Sequence, residues 1–92
     1  MTGALIHTFE IVNEKGLLAR ASAKFVEMVE AHEAHVEVHK DGLCAAGDSI
    51  MGLLMLAASK GSFIKVEIQG AETMALAEAL SQLIASKFGE EQ

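Results

Sequence analysis

The stretch AHVEVHKDGLCAA, residues 34–46, constrains this chain more than any other. Strict alternation puts Val36 and Val38 on one side of a strand and His35, Glu37 and His39 on the other. Asp41-Gly42 follows at once, a dipeptide suited to the positive φ angles of a two-residue hairpin turn. Leu43 to Ala46 then runs back antiparallel to the first strand. A hairpin with one apolar face needs further elements to cover that face.

Around this hairpin the hydrophobic period switches between two and 3.6. Leu5 to Val12 is β-rich and ends at the polar run Asn13-Glu14-Lys15-Gly16. From Ala19 to about Ala31, Ser22, Phe25, Val26 and Val29 recur at i, i+3, i+4 and i+7, the stripe of an amphipathic helix. Gly47-Asp48-Ser49 opens a short helix over Ile50 to Ala58, and Lys60-Gly61 ends it. SFIKVEIQ alternates as a strand, with Phe63 (or Ile64), Val66 and Ile68 as its apolar positions. Gly70 starts a last helix striped by Leu76, Leu80, Leu83 and Ile84, and Gly89 with an acidic tail closes it. The order β-α-β-β-α-β-α predicts an α+β open-faced sandwich, a four-stranded antiparallel sheet covered on one face by three helices. Pattern alone also fits a ferredoxin-like regulatory module. With 92 residues, 1–92 form a single domain.

Charge and composition exclude several classes. Seven basic residues against thirteen acidic ones give a formal charge of −6, the wrong sign for nonspecific nucleic-acid binding. The single cysteine, Cys44, forms no internal disulfide and fits a reducing cytosol. The first residues lack a basic segment followed by an apolar one, so no signal peptide is expected. The longest apolar run, Ile50 to Ala58, falls well short of the about 20 residues that span a bilayer. A cytoplasmic protein without membrane insertion follows as the expectation.

Two stretches carry candidate chemistry. GLLARASA, residues 16–23, brings free backbone N–H groups, the positive end of a helix dipole and Arg20 together, an arrangement that holds anions. The same residues also read as a turn glycine followed by a solvated first-turn arginine. Ser49 is placed to cap the short helix, worth ~1 kcal/mol. As a cap it needs no further function, although a serine there could also accept a phosphate at the favourable end of that helix. IMGLLMLAA, residues 50–58, is apolar on every side, so some of Ile50, Met51, Leu54 and Met55 meet solvent or a partner, unless the long last helix and nearby loops bury them. His32, His35 and His39 match no helical zinc pair, and HEAH is one residue short of the H-E-x-x-H pattern. Solvated histidines, no metal and no cofactor are therefore expected, and Cys44 reads as a small strand residue.

The residues together resemble the HPr family, the histidine-containing phosphocarriers of the bacterial phosphotransferase system. The likeness covers nearly the full length. GLLARASAKFV matches the family's G-L-H-[AT]-R-[PA]-[SA]-A block, GDSIMGLLMLAA its serine-plus-apolar-helix block, and the closing helix its last element. The forms ARASAKFV and SIMGLLMLAA look like those of proteobacterial members, some of which serve the nitrogen-type branch. The resemblance implies a monomeric carrier that takes a phosphoryl group from phospho-enzyme I, charged by phosphoenolpyruvate, and hands it to an enzyme IIA. It places the phosphorylated histidine at Leu18 and the phosphate-steadying arginine at Arg20. It makes Ser49 the regulatory serine, acted on by HPr kinase/phosphorylase where that enzyme exists, and Ile50, Met51 and Leu54 the partner-docking patch.

Leucine has no nucleophilic atom, so position 18 carries no phosphoryl group. One history is a carrier in which leucine has replaced the histidine while fold and docking surface persist. Another is a natural histidine-less paralogue that regulates partners through Ser49 or by direct binding. A third reading, from a different class, is a small regulatory binding domain to which phosphate is irrelevant.

Overall fold

The computed structural model describes residues 4–90; Met1 to Gly3 and the end of the acidic tail, Glu91 and Gln92, lie outside the described residues. The elements follow the expected order: β1 (Leu5–Glu10), α1 (Ala19–Glu30), β2 (His35–Lys40), β3 (Leu43–Ala46), α2 (Ile50–Met55), β4 (Phe63–Gln69) and α3 (Thr73–Ala85), then a 3-10 turn over Lys87–Gly89. The strands form one antiparallel sheet in the order β1-β4-β2-β3. β4 therefore threads between the first strand and the hairpin, and β3 is an edge.

Register explains which alternating set faces inward. Ile64, Val66 and Ile68 pair with Phe9, His7 and Leu5, and Val66 and Ile68 pair with Val38 and Val36. These strand positions, except the exposed His7, pack with Phe25, Val26 and Val29 of α1, Leu53 of α2 and Leu76, Leu80 and Ile84 of α3 in one core. Burial of such aliphatic and aromatic side chains contributes about 1.5–3 kcal/mol each. The Phe63-or-Ile64 ambiguity resolves to Ile64, which is fully buried, while Phe63 is 60% exposed on the outer face.

Element ends depart from the periodicity where tertiary contacts intervene. β1 stops at Glu10, yet Ile11 stays bound to the segment just before β4 through Ile11 N to Ser62 O at 2.9 Å and Gly61 N to Ile11 O at 2.7 Å. α2 ends at Met55 and not at Ala58, because the chain turns at Ala57 with φ of 53°. That turn delivers Leu56 and Ala58 to the core. α3 begins at Thr73 and not at Gly70, whose φ is 132° and whose absent Cβ would stand 2.8 Å from Ala34 Cα. Gly70 is a close-approach residue, and the Thr73 hydroxyl donates back to its carbonyl at 2.8 Å. The last turn also buries Phe88, a core residue that periodicity missed because it follows the helix at a φ of 56°.

Candidate functional site

The segment between β1 and α1 is held from both sides. Asn13 is fully buried, and its amide nitrogen donates to Gly16 O and to Glu90 Oε1, each at 3.0 Å. Gly16 has φ of +68°, and a Cβ there would overlap the Ala58 carbonyl. Leu17 is buried, its amide donates to Ala58 O at 2.9 Å, and the buried Ser22 hydroxyl donates to Leu17 O at 3.2 Å. This network fixes the path of the chain into α1.

Leu18 is the residue presented at the end of that path. It is the N-cap of α1, extended at φ −85° and ψ −169°, and its side chain is 57% exposed. No side chain caps α1, and the N–H groups of a helix's first turn have no partner within the helix. Arg20 lies exposed in that first turn, and among the described residues it makes no ion pair. Leu18, Ala19 and Arg20 line an open cleft of about 620 Å³ whose other walls come from Glu14, Lys15 and Glu90. The backbone donors of the helix start and Arg20 thus share one solvent-open cleft with Lys15 and the carboxylates of Glu14 and Glu90. The side chain at its centre is apolar.

The cleft's far wall is the C-terminal turn. Lys24 Nζ donates to Phe88 O at 2.7 Å, and Asn13 ties down Glu90. Sequence reasoning missed Asn13 and Glu90; the only local sign was an asparagine three residues before a glycine, and nothing in the sequence pairs it with a residue 77 positions away.

Ser49 caps α2 as expected. Its hydroxyl oxygen accepts from Gly52 N at 3.0 Å, and its backbone is extended at φ −117°. α2 packs against α1 and β3, burying Leu53 and leaving Leu54 half-buried. Met51 is 68% and Met55 75% exposed, and Ile50 is also exposed. The all-apolar helix therefore does present an uncovered surface, beside the helix that holds Leu18.

The histidines are spread over the fold. His7 stacks on Phe9 with ring centroids 4.4 Å apart, and His32 Nδ1 lies 2.8 Å from Met28 O. His35 and His39 share the outer face of the sheet with Glu37. Across the hairpin, the Cys44 thiol is pushed above its ordinary pKa by local desolvation and then by the carboxylates of Glu37 and Glu67.

Comparison with known proteins gives this geometry a family. The family described as "PTS HPr component phosphorylation site" matches residues 6–86. The phosphocarrier protein HPr of Neisseria meningitidis serogroup A is 44% identical over 86 residues, spanning 94% of this chain and 97% of that protein. The phosphocarrier protein HPr of Cupriavidus necator is 40% identical over 80 residues, spanning 87% and 90%. The crystal structure of HPr-C-His from Thermoanaerobacter tengcongensis has a TM-score of 0.90 at 38% identity and covers 96% of this chain and 99% of that one. No helix among the described residues is long and apolar enough to cross a membrane. Sharing fold and sequence with these proteins over nearly its whole length, the chain belongs to the HPr family, phosphocarriers of the phosphotransferase system and not enzymes.

Proposed function

We propose that this chain is a transfer-dead member of the family that still docks on enzyme I and enzyme IIA in the cytoplasm. The observation that carries this reading is the exposed Leu18 at the start of α1, where the family's pattern has its histidine. Around it the donors of the helix start, Arg20 and the buried loop network are intact. A hydrocarbon side chain offers no lone pair to attack phosphorus, so no phosphoryl group is received there. Arg20 and the first-turn amides would steady the phosphate if a nucleophile stood at position 18. Ile50, Met51 and Leu54 form the partner-docking patch, supported by the exposure of Ile50 and Met51 on a helix with no polar face.

A second reading is favoured by one further observation: Ser49 sits beside that patch with its hydroxyl hydrogen free of the capping bond, in which the oxygen is the acceptor. Phosphorylation there by an HPr kinase/phosphorylase would add negative charge next to the docking surface. A chain that regulates partners through Ser49, without histidine transfer, uses the same surface.

The test is phosphotransfer from phosphoenolpyruvate and enzyme I to this protein and to its Leu18→His variant, read by intact mass. Acid-labile phosphate on the variant alone supports the disabled-carrier reading. Labelling of neither, with enzyme I binding retained, favours the Ser49 or direct-binding reading.

A further inference from the structure

The outer face of the sheet carries a cluster that phosphotransfer leaves without a role. In the hairpin register His39 stands directly opposite Cys44, and between β2 and β4 Glu37 stands opposite Glu67. Glu37 and His39 are two positions apart, so both project to the side away from the helices, as do Cys44 and Glu67. His39 Nε2 lies 3.7 Å from Glu37 Oε1 and 3.5 Å from Glu67 Oε1. The Cys44 sulfur lies 3.9 Å from Glu37 Oε1. One donor atom each from Glu37, His39 and Cys44 falls within 4.8 Å of the other two.

Those separations fit a tetrahedral ion. Bonds of about 2.0–2.3 Å to oxygen, nitrogen and sulfur hold neighbouring ligand atoms about 3.3–3.6 Å apart. The two contacts to Glu37 Oε1, 3.7 and 3.9 Å, stand a few tenths of an ångström wider, and the imidazole and thiol, within 4.8 Å of each other, have to draw together by up to about an ångström for tetrahedral ligation, which these solvent-accessible side chains can do. Two carboxylates facing each other on adjacent strands repel, and a cation between them reverses the sign of that contact. Thiolate, imidazole and carboxylate together make a set for a borderline-soft ion, whereas Mg2+ and Ca2+ take oxygen ligands.

We propose that Glu37, His39 and Cys44 bind a zinc-type divalent cation on the open face of the sheet, with Glu67 in reach of the fourth position. Coordination replaces the thiol proton by the metal and releases that proton to solvent. The site joins the edge strand β3 to β2 and β4, and β3 leads directly into Ser49 and α2. A bound ion therefore braces the segment that presents Met51. The site is independent of Leu18, and its failure leaves the phosphocarrier reading untouched.

Co2+ serves as the optical probe and Zn2+ as its competitor, both added to the reduced full chain under anaerobic conditions. The expected result is one Co2+ per chain, with a thiolate-to-cobalt charge-transfer band, tetrahedral ligand-field bands, and loss of both on adding Zn2+. Cys44→Ser abolishes the charge-transfer band. His39→Gln weakens Zn2+ binding by more than the roughly 10–100-fold that losing an outer hydrogen bond to a ligand costs. His7→Gln, on the other face of the sheet, leaves binding unchanged. Far-ultraviolet circular dichroism checks that each variant is folded. The proposal is overturned by the absence of a charge-transfer band, by a band that survives Cys44→Ser, or by one ion per two chains, which would mean a bridge between copies.

Discussion

The Leu17 amide donates to the Ala58 carbonyl at 2.9 Å, joining the entrance of α1 to the exit of α2. One bond thus ties the segment that presents Leu18 to the segment that follows the docking helix. Gly16 makes the approach possible, since any side chain there would overlap the same carbonyl.

Gly16→Ala is expected to destabilise the fold by more than ~1 kcal/mol, because it adds a Cβ at φ of +68° as well as a steric overlap. Urea denaturation measures it. A change within a few tenths of a kcal/mol would show that the loop relaxes without holding α1 and α2 together.

Asn13→Asp replaces a buried donor by an acceptor facing two oxygens, Gly16 O and Glu90 Oε1. The expected loss is about 1–3 kcal/mol in the same denaturation assay, from polar groups left unpaired. Asn13→Asp combined with Glu90→Gln should recover part of it, as the amide introduced at position 90 can donate back to the new carboxylate.

Ser49→Ala removes the cap of α2 and is expected to cost about 1 kcal/mol. Ser49→Asp keeps a capping oxygen, so its stability stays near that of the parent. Its affinity for enzyme I falls through added negative charge beside Met51, which isothermal titration against enzyme I would detect. Equal affinity for parent and Ser49→Asp would argue against a switch at this serine.

Arg20→Ala and Met51→Glu alter exposed side chains, and their effect on folding should stay within about 0.5 kcal/mol. Both are expected to weaken enzyme I binding. Binding that ignores both substitutions would favour a phosphate-independent regulatory domain.

The Cys44 thiol, with its pKa raised, is mostly protonated at neutral pH in metal-free protein. Alkylation by iodoacetamide should be slower than that of a free thiol and should accelerate as pH rises through the raised value. Glu37→Gln removes a neighbouring negative charge and moves the acceleration to lower pH. An unchanged profile would mean that the carboxylate does not act on the sulfur.

The sequence by itself determined the element order, the hairpin at Asp41-Gly42, the inward face of β2, the buried stripe of α1 and the Ser49 cap. These are local properties: periodicity, turn chemistry and capping act between residues a few positions apart. Tertiary structure decided the rest, because each remaining feature depends on partners distant in the chain. α2 stops at Met55 where the Ala57 turn sends Leu56 and Ala58 into the core and the Ala58 carbonyl meets Leu17. Asn13 finds Glu90 only when the turn after α3 packs beside the segment that leads into α1. Spacing along β2 alone showed no metal pattern, and only the pairing of His39 with Cys44 and of Glu37 with Glu67 sets the donor atoms of Glu37, His39 and Cys44 within 4.8 Å of one another, with Glu67 beside His39. Strand register, which no single-strand pattern encodes, is what brings them together.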